Sequence, residues 1–171
     1  VRTDDAHLSI GEGSAKIKGQ YVADTGDFDA IINTQDLPLG TFTKDMTTPI
    51  TGNIDGEIRI LGKNNQVTDA VGAVEGRQIG IHGVVVDTVK ANFTHADNRT
   101  NITVVGTMGD GTLSGYGYIQ NGNVDATISG NALPLTALSP IIGQDVDGTL
   151  NTSFAIKGIV DNPNVTGTVW G

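Results

Sequence analysis

The acidic pairs Asp27/Asp29 and Asp145/Asp147 are the first candidates for chemistry in this sequence. Each pair is spaced i, i+2, so in a strand both carboxylates point to the same face. Two carboxylates in that arrangement can bind Ca²⁺ or act as an acid–base pair. The solvated outer face of a strand explains the same spacing with fewer requirements, and we adopt that interpretation.

The histidines and one glycine-rich segment are the remaining candidates. His7, His82 and His95 lie far apart and have no partner at the spacing of a metal site. Gly106–Gly111 loosely resembles a phosphate-binding loop, but it lacks the Lys-Ser/Thr pair and the following helix of such a loop. A hairpin turn is the simpler interpretation. We therefore expect no catalytic residue, no metal and no cofactor, and the chain is predicted not to be an enzyme.

The composition favours many short strands and turns. Glycine supplies 24 of the 171 residues, which is about twice its usual share of ~7%. The net charge of −9 would repel a phosphate backbone, so no nucleic-acid partner is expected. The absence of cysteine excludes disulfides and thiolate metal sites. Because the chain starts at Val1 without Met and stops abruptly at Gly171, we expect it to be a segment of a longer protein.

Alternation of apolar and polar residues predicts the strands. In the longest run, residues 50–61, isoleucines and glycines alternate with Thr, Asn, Asp, Glu and Arg, so one face is apolar and the other polar. Turn residues recur at intervals of about 9–12 residues, and such short connections place consecutive strands side by side. Eleven strands are predicted, over residues 14–22, 26–34, 50–61, 67–75, 77–86, 88–96, 100–107, 112–120, 122–130, 146–157 and 164–170.

These features predict an all-β fold, an elongated and strongly curved antiparallel meander that forms a U-shaped open trough with an aliphatic interior. Aromatic residues, at 5%, are too few for an ordinary sandwich core, and glycines such as Gly52 and Gly148 on the apolar face permit sharp curvature. One or two short helical turns are expected, in Leu39–Met46 and Leu135–Ile142. The predicted lining of the groove is Phe28, Ala30, Ile32, Ile50, Ile54, Ile58, Ile60, Ile79, Ile81, Val85, Val89, Phe93, Ile102, Val104, Val124, Ala126, Ile128, Val146, Leu150, Phe154 and Ile156.

The sequence also repeats with a period of 96 residues. Without a gap, Gly13–Gly62 lies over Gly109–Gly158, with 12 identical residues among 50. The Leu-Pro-Leu segment at Leu37–Leu39 falls on the one at Leu133–Leu135. Residues 1–171 are therefore expected to form a single segment that holds about 1.8 copies of the repeat, over approximately residues 1–75 and 97–171. A long period carried by glycines and aliphatic residues indicates a built surface rather than an active site.

The second copy has a recognisable order of elements. Val124–Ile128 is followed by Leu133–Leu135, Val146–Leu150, Phe154–Gly158 and Asn162–Gly167, the last with a Pro-x-Val-x-Gly pattern. This order resembles the recurring unit of the AsmA/TamB family of bacterial envelope proteins, and its TamB-like members most closely. The first copy keeps the order but departs at its end, where Gln-Val stands in place of Asn-Pro. The resemblance covers most of the chain.

The resemblance implies a periplasmic segment of an inner-membrane-anchored protein, folded as the trough called a β-taco. Members of the translocation and assembly module bridge the two membranes, carry phospholipids along a hydrophobic groove and support outer-membrane protein assembly. Phospholipid acyl chains would then contact the groove lining. The expected partner is an Omp85-family outer-membrane protein, TamA or BamA-like, reached through other parts of the chain.

Other interpretations remain open from the residues. Strands rich in Gly, Asn, Thr and Asp are also typical of a β-solenoid adhesin or autotransporter passenger, although such solenoids repeat every ~20–30 residues. Open sheet edges would suit a chaperone-like surface for outer-membrane β-strands. The apolar stripe could also be an ordinary sealed core.

Overall fold

In the computed structural model, which describes residues 2–47 and 49–171, the chain forms one antiparallel sheet of eleven strands. Each strand pairs with its neighbours in sequence, and the sheet is not closed, so the predicted all-β meander is confirmed. The strands are β1 (Arg2–Ile10), β2 (Gly13–Val22), β3 (Asp27–Pro38), β4 (Ile50–Lys63), β5 (Gln66–Ile81), β6 (Val84–Ala96), β7 (Arg99–Met108), β8 (Gly111–Gln120), β9 (Asn123–Pro134), β10 (Thr149–Ile159) and β11 (Asn162–Trp170).

Two connections contain helical turns, as the sequence predicts. The first connector, residues 39–49, holds α1 (Leu39–Thr43) between β3 and β4. The second connector, residues 135–148, holds a 3-10 turn (Leu135–Leu138) and α2 (Ser139–Ile142) between β9 and β10. Both follow a proline that ends the preceding strand.

The predicted number of strands is right because two errors compensate. The sequence interpretation missed β1, and it divided the 16-residue β5 at Gly76. Its strand over residues 77–86 joins the end of β5 to the start of β6 across the turn at His82-Gly83. Gly76 lies inside β5, close to Gln78, whose φ of 52° bends the strand without ending it. The predicted tenth strand also starts too early, since Val146 belongs to the second connector and β10 begins at Thr149.

Tight turns join most of the strands. Asn64-Asn65, Asp97-Asn98 and Asn121-Gly122 each place two consecutive residues at positive φ between paired strands. That is the geometry of a type I′ hairpin, whose twist matches that of the flanking strands. Asn and Gly tolerate the left-handed conformation best, so the composition of these turns follows directly from the meander.

Bulges near one end of the strands bend the sheet. A Cβ on Gly76 would lie 2.8 Å from Ile79 Cδ1, and a Cβ on Gly130 would lie 2.5 Å from Leu133 Cδ1. In a straight strand, residues i and i+2 share a face, so a shared face at i and i+3 requires an extra residue. Asp36, Gln78 and Ala132 are the left-handed residues beside these bends, with φ between 48° and 52°.

The bends form a line across the sheet. The strand registers join one row of residues beside them, from β3 to β9: Leu37, Ile54, Gly76, Val89, Gly106, Leu113 and Gly130. The bends in β3, β5 and β9 therefore fall at a similar level of the sheet. The result is a curved trough, and we call its apolar inner surface the concave face.

The buried core lies at this bend. Met108, Leu133 and Leu150 are 5–9% exposed and pack together. The partly buried apolar residues around them are Val84, Val86, Leu113, Leu135 and Ala137. Because Leu135 and Ala137 come from the second connector, that connector closes one side of the trough over β6–β10. The rest of the concave face has no such cover in the described part of the chain.

The outer face is polar and charged. Arg59 pairs with Asp29 at 2.7 Å across β3 and β4, and similar pairs join Lys90 to Glu75 and Lys157 to Asp125. The hydrogen bond from Arg59 lowers the pKa of the Asp29 carboxyl below its usual value. The pair Asp27/Asp29 thus lies on the solvated face, in keeping with the simpler interpretation of its spacing.

The repeat is visible strand by strand, with one correction to the ungapped alignment. Strands β3–β5 correspond to β9–β11 at an offset of 96, since Ile32 pairs with Ile58 as Ile128 pairs with Phe154. The hairpin β1–β2 corresponds to β7–β8 at an offset of 98. The four-residue turn after β2 is two residues longer than the turn after β8, and this accounts for the difference.

Candidate functional site

The concave face is built from rows of residues that run across all eleven strands. Antiparallel pairing in constant register brings the same-facing residues of successive strands into line. The central row consists of Ala6, Ile17, Ile32, Ile58, Gly72, Phe93, Ile102, Gly117, Ala126, Ile156 and Val165. No member of this row is charged, and the row extends from one sheet edge to the other.

The structure brings nearly all the predicted lining residues onto this one face. Its registers align Phe28, Ala30, Ile32, Ile54, Ile58, Ile60, Val89, Phe93, Ile102, Val104, Val124, Ala126, Ile128, Phe154 and Ile156 along the open part of the trough. Ile50, Ile79 and Ile81 lie on the same face beyond the bend, and Leu150, the equivalent of Ile54 in the second copy, lies at the bend itself. Leu150 is sealed in the core cluster, so it is not available to a ligand.

Two predicted lining residues lie elsewhere. Val85 pairs with Gly80 and lies between Val84 and Val86, which pack on the core, so alternation puts Val85 on the outer face. The bend beside Gln78 shifts the parity of this hairpin relative to the rest of β5 and β6. Val146 precedes β10 and belongs to the second connector. The alternation of apolar and polar residues continues through Val85 and Val146. It therefore reveals neither the change of face at Val85 nor the later start of β10.

Several lining residues were missed by the sequence analysis. Ile17, Leu113 and Ile119 face the trough in β2 and β8. In β8 the signal was obscured, because the opposite face carries Tyr116 and Tyr118 and both faces therefore read as apolar. Tyr118 lies on the outer face beneath Arg99, whose guanidinium carbon is 3.7 Å from the ring centre.

Glycines deepen the trough at two related places. A depression of about 290 Å³ lies over Gly115 and Gly117 in β8, lined by aliphatic residues that include Val104 and Ile128. A related depression of about 230 Å³ lies over Gly19 in β2. Gly19 and Gly117 occupy equivalent positions in the two copies, opposite Ala30 and Ala126.

Close contacts with the neighbouring strand require glycine at these positions. A Cβ on Gly117 would lie 2.4 Å from the Ala126 Cβ, and a Cβ on Gly19 would lie 2.9 Å from the Asp29 carbonyl oxygen. Neither position can therefore carry a side chain without displacing the neighbouring strand. Both copies therefore require glycine at this position, and the trough is deeper there.

The concave face is almost free of polar groups. Between Ala6 and Val169 its described strand residues include no Asp, Glu, Lys or Arg. The clearest polar exception is His95, whose Nδ1 lies 2.8 Å from Thr100 Oγ1 on the neighbouring strand. Both side chains are half-buried near the open rim, and they satisfy one another.

Residues 2–47 and 49–171 contain no cluster of three or more His, Asp or Glu side chains that could hold a metal ion. Within the same part of the chain, no helix is long and apolar enough to cross a membrane. Comparison with protein-family models, with curated proteins and with solved structures finds no match for this chain.

Proposed function

We propose that this chain is a segment of a TamB-like conduit whose concave face holds phospholipid acyl chains while they move between membranes. The observation that carries the proposal is the uncharged aliphatic lining that continues across all eleven strands. At about 4.8 Å per strand, that lining is roughly 50 Å long. A sealed core does not need such a surface.

The energetics suit a ligand that must slide. Burying each methylene group of an acyl chain contributes about 0.8 kcal/mol, and the contribution depends little on where along the trough the group lies. A wall without charges gives no position that would trap the ligand. The repeated glycine depressions offer similar space in both copies, so successive segments of the trough look alike to the ligand.

The wider setting belongs to the same proposal. We place the segment in the periplasm, as part of an inner-membrane-anchored protein. An Omp85-family partner at the outer membrane would be reached through other parts of that protein. Support for outer-membrane protein assembly would follow from lipid delivery. These elements come from the resemblance in the ordered motifs of the sequence.

Adjacent residues of β7 give a matched test of the groove. Val104 faces the trough and lines its larger depression, whereas its neighbour Val105 faces outward and is 55% exposed. A photo-crosslinking residue at position 104 should capture phosphatidylethanolamine when the chain is mixed with vesicles of phosphatidylethanolamine and phosphatidylglycerol. The same residue at position 105 should capture little, since it projects into water.

A second pair on β4 serves as a control for strand-specific effects. Ile58 faces the trough, and the adjacent Arg59 is held outside by its ion pair with Asp29. Crosslinks at 58 without crosslinks at 59 would extend the result to the first copy. Equal capture from inward and outward positions on both strands would contradict the proposal, because it would show nonspecific contact with lipid.

A further inference from the structure

We propose that the His95–Thr100 pair binds the polar end of the phospholipid, by donating a hydrogen bond to its phosphodiester or ester oxygens. This inference rests on the proposed function and adds an orientation to it. The pair lies on the concave face beside Ile102, near the open rim, which is the end of the strands opposite the bend. Its neighbours in the same row are Ala70 on β5 and Ile119 on β8, so the pair is an isolated polar group in an apolar surface.

The pair has one hydrogen-bond donor more than it uses. The Thr100 hydroxyl carries one proton, and a neutral imidazole carries one on a ring nitrogen. Only one of these donors is used in the 2.8 Å contact between His95 Nδ1 and Thr100 Oγ1, whichever tautomer is present. Among the described residues, neither side chain makes another hydrogen bond. The remaining donor therefore requires a partner from outside the chain.

A lipid in the trough makes this donor costly to leave unpaired. Both side chains are half-buried, and acyl chains on the surrounding apolar surface would displace water from them. A polar group that loses water without gaining a partner destabilises the complex. The polar end of a phospholipid consists largely of acceptor oxygens, in its phosphodiester and its esters. It therefore supplies the partner that an acyl chain lacks.

The larger depression gives the acyl chain its direction. Ile119 lies opposite Thr100 at the rim-side end of the depression, and Leu113 lies at its other end, packed on the core at the bend. The two residues share the concave face of β8 and are about 20 Å apart along the strand. An acyl chain lying along β8 would therefore have its polar end beside the pair and its methyl end at the bend.

Replacing both side chains by apolar ones of similar size tests the pair. In His95→Phe/Thr100→Val neither partner is left without the other, so the fold should be kept, which circular dichroism checks. The double variant makes the trough more apolar, and burial of apolar surface alone would therefore strengthen lipid binding. The proposal predicts the opposite sign. Titration by native mass spectrometry should show phosphatidylethanolamine bound about two- to tenfold more weakly.

A ligand without acceptor oxygens separates the polar contact from apolar burial. Pyrene, followed by its fluorescence, should bind the double variant as tightly as it binds the unaltered chain, or more tightly. His95→Gln keeps a side-chain N–H donor and should retain most of the phosphatidylethanolamine binding. His7→Phe makes the same kind of change on the outer face of β1 and should leave binding unchanged.

A lipid without phosphate distinguishes the two kinds of acceptor. Diacylglycerol has the same esters, so equal weakening of diacylglycerol and phosphatidylethanolamine in the double variant assigns the contact to the ester oxygens. Weakening of phosphatidylethanolamine alone assigns it to the phosphodiester. A photoreactive group on the lipid head should crosslink to the turn at Asp97-Asn98, and one at the acyl end should crosslink around Leu113.

The outcomes separate this inference from the proposed function. Phosphatidylethanolamine bound equally well or more tightly by the double variant, or headgroup crosslinks around Leu113, would overturn the inference and leave the proposed function intact. Equal weakening of pyrene and phosphatidylethanolamine would also overturn it, because the loss would then not depend on acceptor oxygens. An unaltered chain that binds no phosphatidylethanolamine would overturn both.

Discussion

The two copies of the repeat share a bend but differ in what lies over it. In the first copy, Asp55 Oδ1 accepts a hydrogen bond from the Asp36 backbone N–H at 2.8 Å. In the second, Asn151 Oδ1 accepts one from the Ala132 backbone N–H at 2.9 Å. The donors have φ of 48° and 50° and are 96 residues apart. The same hydrogen bond, from a backbone N–H to a side-chain oxygen on the next strand, therefore fixes the bulge in both copies.

The connectors above the bend are held in different ways. In the first copy, the Thr43 hydroxyl lies 2.6 Å from the Ile50 carbonyl oxygen and accepts the Ile50 backbone N–H at 3.0 Å. The equivalent Ser139 hydroxyl is buried without a hydrogen-bond partner among the described residues. The second connector instead packs apolar residues on the core cluster.

This contrast has a simple structural source. The second connector contacts β6, and Pro140 lies over the turn between β5 and β6, where a Cβ on Gly83 would be 2.9 Å from the Pro140 Cβ. Phe42 and Met46 of the first connector are each 54% exposed. The second connector is thus held by apolar packing on the core cluster, and the first is held by the hydrogen bonds of Thr43.

The largest expected difference in stability is between substitutions at Ile54 and Leu150, which are equivalent positions of the two copies. Leu150 is 9% exposed inside the core cluster, so Leu150→Ala should lower the free energy of unfolding by about 2–4 kcal/mol. Ile54 is half-buried, and Ile54→Ala should cost about 1–2 kcal/mol. Urea denaturation of the two variants measures the difference. Equal losses would show that the core is not concentrated under the second connector.

The connector hydroxyls should give the next largest effect. Thr43→Val leaves the Ile50 backbone groups unpaired beside a buried position, so it should cost about 1–2 kcal/mol. Ser139→Ala removes a hydroxyl without a partner in the structure and should change stability by less than about 0.5 kcal/mol. Thermal and urea unfolding compare the two. A larger loss from Ser139→Ala would reverse the assignment of hydrogen bonding to the first connector.

The smallest expected effect is on the pH dependence of stability. Only in the first copy is the acceptor of this hydrogen bond, Asp55, a charged residue. The Asp36 backbone N–H lowers the pKa of the Asp55 carboxyl, and Arg77 lowers it further. A carboxyl with a depressed folded pKa contributes stability that is present above its unfolded pKa of about 3.9 and is lost as pH falls through the folded pKa. The neutral Asn151 contributes no such dependence.

The substitution Asp55→Asn tests this sign. The asparagine can still accept the Asp36 N–H, as Asn151 accepts the Ala132 N–H, but it loses the ion pair with Arg77. The variant should be less stable than the unaltered chain at pH 7, and the gap should narrow as pH falls below about 4. Unfolding by urea between pH 7 and pH 3 measures the gap. A gap that stays constant or widens with acid would exclude a stabilising charge on Asp55.

The sequence predicted the fold well because its main signals are local. Alternation in β4 assigned inward isoleucines such as Ile58, and the glycine- and asparagine-containing turns indicated antiparallel neighbours. Bulges are harder to predict, because a left-handed residue such as Gln78 or Ala132 is stabilised by partners on other strands. That is why Val85 was assigned to the wrong face and β5 was divided. The role of the second connector was equally hidden, since its contacts with β6 join residues far apart in the chain.

The central claim, that the concave face binds phospholipid, is tested most directly by one pair of substitutions on β7. Native mass spectrometry of the chain with dispersed phosphatidylethanolamine should show bound lipid. Val105→Asp should bind as the unaltered chain does, and Val104→Asp should lose most of the bound lipid while circular dichroism shows the same strand content. Equal binding by both aspartate variants, or loss only in Val105→Asp, would contradict the account.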